Sequence, residues 1–175
     1  ETGIIVAGKG TDGHGYLLDD ASLRASPKKW ASAAVGLYRK WEADRMVAES
    51  NNGGEMVAAT IETVDGAPPV KLIHASRNKQ ARAVPIAALY EQGRCHMVGF
   101  FAELESQLCT WEPGKGMPSP DRLDAAVWCL TELDISVQPL REGAVAHANQ
   151  PVPSRFVRTP LTGGRWKRGE RRGYR

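Results

Sequence analysis

The sequence predicts an α/β domain with a mixed β-sheet flanked by helices, and two observations support this class. The chain opens with a β-branched run at 2–7, a glycine-rich turn, and a second apolar run at 15–19, which together indicate a β-hairpin. After the hairpin, strand-type runs alternate with stretches whose apolar residues recur every three or four positions. This alternation is typical of sheets in which helices connect parallel strands.

The elements after the hairpin follow from periodicity and from the residues that begin and end helices. Ser26 and Pro27 suit the N-cap and first position of a helix, which its apolar spacing extends to about Ala43. Gly93 is placed to end a later helix. The remaining predicted elements are strands at 45–49, 70–75 and 95–98 and helices at 55–64, 79–92, 100–110 and 121–133, with a Gly/Pro-rich loop at 113–120.

The composition predicts one globular domain that folds without disulfide bonds. The chain has 175 residues, of which 42% are hydrophobic and 25% are charged. No apolar run is long enough for a transmembrane helix, and the first residues do not resemble a signal peptide. The three cysteines, Cys95, Cys109 and Cys129, are scattered, which favours reduced thiols in a cytosol over a disulfide framework or a zinc site.

The charge is distributed unevenly along the chain. Residues 154–175 contain eight basic residues and one acidic residue, a net charge of +7, whereas the rest of the chain carries −4. From about residue 136 onward the apolar periodicity stops, so we expect a domain at 1–135 and a basic, mostly disordered tail at 136–175. The tail suits contact with an anionic polymer, and it equally suits a solvated terminus.

Three carboxylates lie where an α/β domain places ligand sites. Glu49 ends a strand and precedes Asn and Gly residues, which let the backbone turn away from a substrate. Asp121 and Asp124 lie three residues apart at a predicted helix start, so both project to one side. Oxygen ligands of this kind suit Mg²⁺ or Mn²⁺. The alternatives are a surface acid or a helix-capping partner at Glu49 and a favourable helix charge at Asp121.

Other chemically capable side chains have simpler interpretations. His74 lies in an apolar strand, where a core or edge residue is more common than a catalytic base. The tryptophans Trp30, Trp41, Trp111 and Trp128 fall on apolar helix faces, which predicts core packing, with stacking on nucleic-acid bases as the weaker alternative. The Gly8-Lys9-Gly10 segment lacks the spacing of a phosphate-binding loop.

Five motifs occur in order along the chain: Glu-Ser-Asn-Asn-Gly-Gly at 49–54, Ser-Arg-Asn-Lys-Gln-Ala-Arg-Ala at 76–83, Leu-Tyr-Glu-Gln-Gly-Arg at 89–94, Leu-Glu-Ser-Gln-Leu-Cys-Thr-Trp at 104–111 and Ser-Pro-Asp-Arg-Leu-Asp-Ala at 119–125. Together they closely resemble the C-terminal nuclease domain of tailed-phage terminase large subunits, a domain type that also occurs in prophages. The resemblance covers about residues 1–133. It implies a ribonuclease H-like fold and a nuclease that uses two Mg²⁺ or Mn²⁺ ions.

The resemblance also implies roles for individual residues. Glu49 matches the second acid of the family's catalytic cluster, and Asp121 matches the third, with Asp124 as a close alternative; all three are candidate catalytic metal ligands. The first acid belongs to an opening strand that precedes the first residue here, so we expect that strand to be missing. Lys79 and Arg82 are implied to contact DNA phosphates; the alternative is a solvated helix face.

The implied function is that of a metal-dependent DNA endonuclease domain of a viral DNA-packaging terminase, which cuts concatemeric DNA during packaging. The implied partners are double-stranded DNA, the terminase small subunit and the portal protein, in the cytoplasm of the bacterial host and without a membrane. The alternative is a truncated, catalytically inactive remnant that binds DNA or the portal through the basic tail.

Overall fold

The computed structural model describes residues 1–51, 53–112 and 120–135. The elements of this part, in chain order, are β1 (Ile5–Lys9), β2 (Gly15–Asp20), α1 (Pro27–Lys40), β3 (Met46–Glu49), α2 (Gly54–Glu62), β4 (Val70–Ile73), α3 (Lys79–Glu91), β5 (Cys95–Met97), α4 (Ala102–Thr110) and α5 (Asp121–Glu132). Each predicted element is present, with ends shifted by a few residues. The predicted tail at 136–175 and all but the last residue of the predicted loop at 113–120 lie outside the described residues.

The strands combine parallel and antiparallel pairing, which confirms the predicted mixed α/β class. Strands β1 and β2 form the expected antiparallel hairpin, and β5 adds to β2 in parallel. Strands β3 and β4 form a separate parallel pair, in which Glu49 is opposite Ile73. The strands of the described residues therefore divide into two sheets, a three-stranded sheet in the order β1-β2-β5 and the two-stranded β3-β4 sheet.

The larger hydrophobic core lies between the three-stranded sheet and helices α3, α4 and α5. Leu17 of β2, Leu104 of α4 and Leu130 of α5 are almost completely buried in it. Burial of a leucine side chain of this kind contributes about 1.5–3 kcal/mol to folding. A smaller cluster, formed by Ala31, Val35 and Ile61, joins α1 to α2. The larger core fixes α5, the helix that the resemblance identifies as part of the nuclease site.

The first residues of the chain pass close to the beginning of α5. At Gly3, a Cβ atom would collide with the backbone carbonyl of Asp121, so this approach requires glycine. Farther along, the Lys9 ammonium group at the end of β1 donates to the carbonyl oxygen of Asp134, 2.8 Å away, just after α5. Strand β1 and helix α5 therefore run side by side in the same direction.

The helices of the described portion are short. None of them contains an apolar stretch that would reach across a lipid bilayer.

Candidate active site

Three elements bring charged side chains together at the carboxyl end of β3. Glu49 is the last residue of β3, Lys79 and Arg82 lie on the first turn of α3, and Asp124 lies on the first turn of α5. This is the position at which α/β sheets usually bind ligands. We refer to these four residues as the carboxylate–arginine cluster.

Backbone pairing beyond the two strands holds the end of β3 in place. The Ser50 backbone N–H donates to the carbonyl oxygen of Ile73 at 2.9 Å, which extends the β3–β4 ladder by one residue. The Asn51 side chain then pairs with the Ala75 backbone in both directions, accepting at 2.9 Å and donating at 3.2 Å. These bonds fix the loop that follows Glu49 and so restrict the position of its carboxylate.

The two glycines after Asn52 are required for different reasons. Gly53 has a φ of +87°, in the left-handed region that favours glycine. Gly54 begins α2 directly against the end of β3, where a Cβ atom would lie 2.6 Å from the Glu49 carbonyl oxygen. The sequence interpretation, that the glycines let the backbone turn, is confirmed for Gly53. At Gly54 the structure shows a tight contact between a helix and a strand end.

A capped helix start presents Lys79 and Arg82 to the carboxylates. The Asn78 side chain accepts from the Ala81 backbone N–H at 2.8 Å, which satisfies one of the free donors of the first turn. Lys79 and Arg82 are three residues apart and therefore project from the same side of α3. Each of them pairs with Asp124.

Arg82 bridges the two carboxylates. Its Nη2 atom lies 3.1 Å from Asp124 Oδ1, and its Nη1 atom lies 3.6 Å from Glu49 Oε1. The Arg82 side chain is only 8% exposed. Lys79 approaches the other oxygen of Asp124, with Nζ 3.3 Å from Oδ2, but its side chain remains 46% exposed. Arg82 is thus an internal counter-ion, whereas Lys79 lies at the edge of the site.

Trp128 completes the polar surroundings of Glu49 and Arg82. Its indole Nε1–H donates to Glu49 Oε2 at 3.1 Å, and the Arg82 guanidinium lies 4.3 Å from the ring centroid, within cation–π distance. This differs from the core-packing role predicted for Trp128. Because Trp128 lies four residues after Asp124 on α5, the two side chains share one face of the helix. The four-residue spacing between Asp124 and Trp128 was the feature of the sequence that could have indicated Trp128 as part of the site.

Burial makes Asp124 an unusual carboxylate. Desolvation raises its pKa above the ordinary value for aspartate, and the nearby charge of Glu49 acts in the same direction. Lys79 and Arg82 lower that pKa but do not fully offset the burial. A largely buried carboxylate near a second acid is a frequent feature of catalytic sites.

Asp121 lies apart from this cluster. Its side chain is 46% exposed, and its backbone carbonyl lies against Gly3. The neighbouring residue, Arg122, donates to Asp20 Oδ2 at the end of β2 over 2.8 Å. This ion pair holds the first turn of α5 so that Arg122 faces the three-stranded sheet. No pattern in the sequence pointed to a role for Arg122.

The structure thus brings together Glu49, Asp124, Lys79 and Arg82 but does not place Asp121 in contact with any of them. Within the described ranges, no set of three or more His, Cys, Asp and Glu side chains has an arrangement suited to a metal ion. His74 follows the end of β4 and is exposed, so the predicted core position was wrong; because β4 belongs to a two-stranded sheet, the predicted edge position is not contradicted.

The fold and the site define a class, the ribonuclease H-like α/β domains with acids gathered at a strand end. Comparison with family models shows that residues 1–133 match a family described as "Terminase RNaseH-like domain". The chain belongs to this family, which confirms the predicted resemblance. Membership supports a nuclease role for the domain, and it implies a DNA substrate and DNA-packaging partners in general terms. A search of curated proteins finds no match.

Proposed function

We propose that the chain is a metal-dependent DNA endonuclease domain of a viral packaging terminase, which cuts concatemeric DNA. The proposal rests above all on one observation: Glu49 and Asp124, from β3 and α5, share a single buried guanidinium. Two acids that are distant in sequence converge on one point at the end of a strand. In a family of nucleases, such convergence favours a catalytic role over two unrelated surface acids.

The donor set suits a hard divalent cation. Glu49 and Asp124 supply carboxylate oxygens, the ligands that Mg²⁺ and Mn²⁺ prefer, and these ions commonly keep water in their remaining positions. We therefore propose that Glu49 and Asp124 hold the metal, with Asp121, one turn earlier on α5, as the alternative ligand. When bound, a pair of such ions activates a water molecule and stabilises the leaving oxygen of a phosphodiester.

The other residues of the site have supporting tasks. Trp128 fixes the orientation of the Glu49 carboxylate through its indole N–H. Lys79 is the most exposed cation of the cluster, so it is suited to contact a DNA phosphate while remaining close to Asp124. Arg82 is proposed as a second phosphate contact. Such contacts attract DNA of any sequence and weaken as the salt concentration rises.

The wider assignment follows from the family. We propose double-stranded DNA as the substrate, the terminase small subunit and the portal as partners, and the cytoplasm of a bacterial host as the location. The basic segment 154–175 lies outside the described residues; its net charge of +7 suits contact with DNA or with an acidic portal surface.

Cleavage of supercoiled plasmid by the full chain, with Mg²⁺ or Mn²⁺, tests the proposal. We expect the parent to nick the plasmid and Glu49→Ala to abolish nicking, while DNA binding in a gel-shift assay stays nearly unchanged. Asp124→Asn and Asp121→Asn, compared side by side, identify the ligand on α5, and we expect the larger loss for Asp124→Asn. Nicking retained by Glu49→Ala would contradict the assignment.

Lys79→Ala tests the proposed phosphate contact. We expect weaker binding of all DNA sequences to a similar degree, and a slope of binding affinity against salt that is smaller by about one counter-ion. A loss of affinity for some sequences and not for others would show that Lys79 does not act through the phosphate.

A catalytically inactive, nucleic-acid-binding remnant is a second candidate, and one observation favours it. The cluster contains two carboxylates, and protein donors contact both of them, so these donors occupy the oxygens that a metal ion would need. Mn²⁺ binding to the full chain, followed by calorimetry, separates the candidates: the nuclease binds Mn²⁺ and loses this binding in Glu49→Ala, whereas the remnant shows the same weak response in both proteins.

A further inference from the structure

The carboxylate–arginine cluster is electrically neutral without a metal ion. Two carboxylates, Glu49 and Asp124, are matched by two cations, Lys79 and Arg82. Each carboxylate oxygen has a protein neighbour, because Arg82 and Trp128 approach the two oxygens of Glu49, and Arg82 and Lys79 approach those of Asp124. The oxygens that a divalent cation requires therefore already face positive or hydrogen-bonding groups.

Arg82 is buried in this position without being well satisfied. A guanidinium has five N–H donors, and among the described residues Arg82 makes one hydrogen bond, from Nη2 to Asp124 at 3.1 Å. Its Nε and Nη1 atoms are buried and have no hydrogen-bond partner there, since the 3.6 Å approach of Nη1 to Glu49 is an ion-pair contact and too long for a hydrogen bond. Unpaired buried donors are costly, and they leave Arg82 with two nitrogen atoms that a further acceptor would satisfy.

We propose that Arg82 is a resident counter-cation that a divalent metal ion must displace from Glu49 and Asp124, and that the released guanidinium then turns its unpaired donors to an anionic phosphate oxygen of the DNA. This inference rests on the proposed function, because it takes Glu49 and Asp124 as metal ligands. It assigns Arg82 two alternating partners, the carboxylates in the metal-free protein and the phosphate in the loaded one.

The proposal follows from charge balance. With a divalent ion at the carboxylates, a guanidinium within about 4 Å would add like-charge repulsion in a partly buried site, where it is weakly screened. Lys79 is half exposed and can move into solvent. Arg82 is enclosed beside Trp128, so its displacement is the step that opposes metal binding.

The test is Mn²⁺ binding to the full-length chain without DNA, measured by calorimetry with MnCl₂ and by the electron paramagnetic resonance signal of free Mn²⁺. We expect Arg82→Gln to bind Mn²⁺ at least about tenfold more tightly than the parent, since a cation at this distance changes the affinity of a carboxylate for a proton by about 1–3 log units. Arg77→Gln is the matched control. Arg77 lies exposed on the loop before α3, so its loss removes the same formal charge and changes the affinity little.

The possible results separate this inference from the proposed function. One result is that the parent binds Mn²⁺, Asp124→Asn does not, and a folded Arg82→Gln binds Mn²⁺ no more tightly than the parent. This result would overturn the counter-cation role and leave the metal site intact. If neither the parent nor Arg82→Gln binds Mn²⁺, the proposed metal site fails and this inference fails with it. Binding by Arg82→Gln alone would support the inference most strongly.

A second measurement applies even if Arg82→Gln does not fold. The arginine Nε–Hε signals of the ¹⁵N-labelled parent are recorded during a titration with Mg²⁺, and Arg82 is assigned with the charge-preserving Arg82→Lys. We expect the Arg82 signal to shift as Mg²⁺ binds, and to stay unchanged in Asp124→Asn. An Arg82 signal that does not move while Mg²⁺ binds would refute the displacement.

Discussion

Replacement of Trp128 by phenylalanine tests whether the indole–carboxylate bond stabilises the site. The substitution keeps an aromatic ring beside Arg82 and removes the N–H that donates to Glu49 Oε2 over 3.1 Å. A hydrogen bond to a charged group contributes about 1.5–3 kcal/mol net. The Glu49 side chain is 24% exposed, so water partly replaces the lost donor. We therefore expect the free energy of unfolding to fall by about 1–2 kcal/mol, near the lower part of that range.

Trp111→Phe is a control with the same chemical change. The Trp111 indole N–H is buried and has no hydrogen-bond partner among the described residues, so phenylalanine there removes an unsatisfied donor. Both variants lose a similar ring area. We expect Trp111→Phe to change the free energy of unfolding by less than about 0.5 kcal/mol, because removal of the unpaired donor offsets the lost packing.

Urea denaturation followed by circular dichroism measures both variants. With a slope of about 2 kcal/mol per molar urea, the middle of the range for a small domain, the expected loss in Trp128→Phe lowers the midpoint by about 0.5–1 M. A double-mutant cycle with Glu49→Gln isolates the coupling between the two side chains. Equal midpoints for Trp128→Phe and Trp111→Phe, or no coupling in the cycle, would refute the role assigned to the indole.

Two further predictions concern an ionisable pair and a tight backbone contact. His14 Nδ1 and His96 Nε2 lie 2.8 Å apart, and burial, together with the nearby charge of His14, lowers the pKa of His96. Because of this lower pKa, the folded protein binds fewer protons than the unfolded chain. Its stability is therefore greatest above about pH 6.5 and falls as the pH decreases toward the lowered pKa. Thermal melts between pH 7.5 and pH 5 should show a shallower decline for His96→Gln, and identical declines would contradict the prediction. Gly54→Ala should displace α2 from the Glu49 carbonyl and reduce both stability and plasmid nicking. The control is Gly36→Ala, inside α1 with open space around it, which should stabilise the protein by about 0.5–1 kcal/mol. Unchanged nicking by Gly54→Ala would show that this contact does not position Glu49.

Local sequence patterns predicted the succession of elements well. The hairpin, the helix start at Ser26–Pro27 and the helix at 121–133 depend on turn residues, caps and apolar spacing, which act over a few residues. The grouping of the strands into two sheets was not predicted, because strand order depends on contacts between distant segments. Parallel pairing of β3 with β4, for example, leaves no signal in the spacing of either strand.

The candidate site, like the fold, was predicted only in part from the sequence. The positions of acids at a strand end and at a helix start pointed to Glu49 and to two aspartates on one helix. Lys79 and Arg82 were implied only by the resemblance to the terminase nuclease domain. The sequence did not distinguish Asp121 from Asp124. The difference arises from the rotation of α5, which the buried face at Leu130 and the Arg122–Asp20 ion pair determine together. Trp128 was missed for the same reason, since its partner Glu49 lies on a distant strand.

The sequence by itself determined the α/β class, the order of the elements and the resemblance to terminase nuclease domains, because each of these is encoded in local patterns and in motifs read along the chain. Only the tertiary structure decided that Asp124 and Glu49 pair with the same guanidinium, that of Arg82, and that Trp128 contacts both Glu49 and Arg82. Those relations depend on how β3, α3 and α5 pack against one another. Packing is a property of the whole fold, and a buried charge has its chemical meaning only once its neighbours are known.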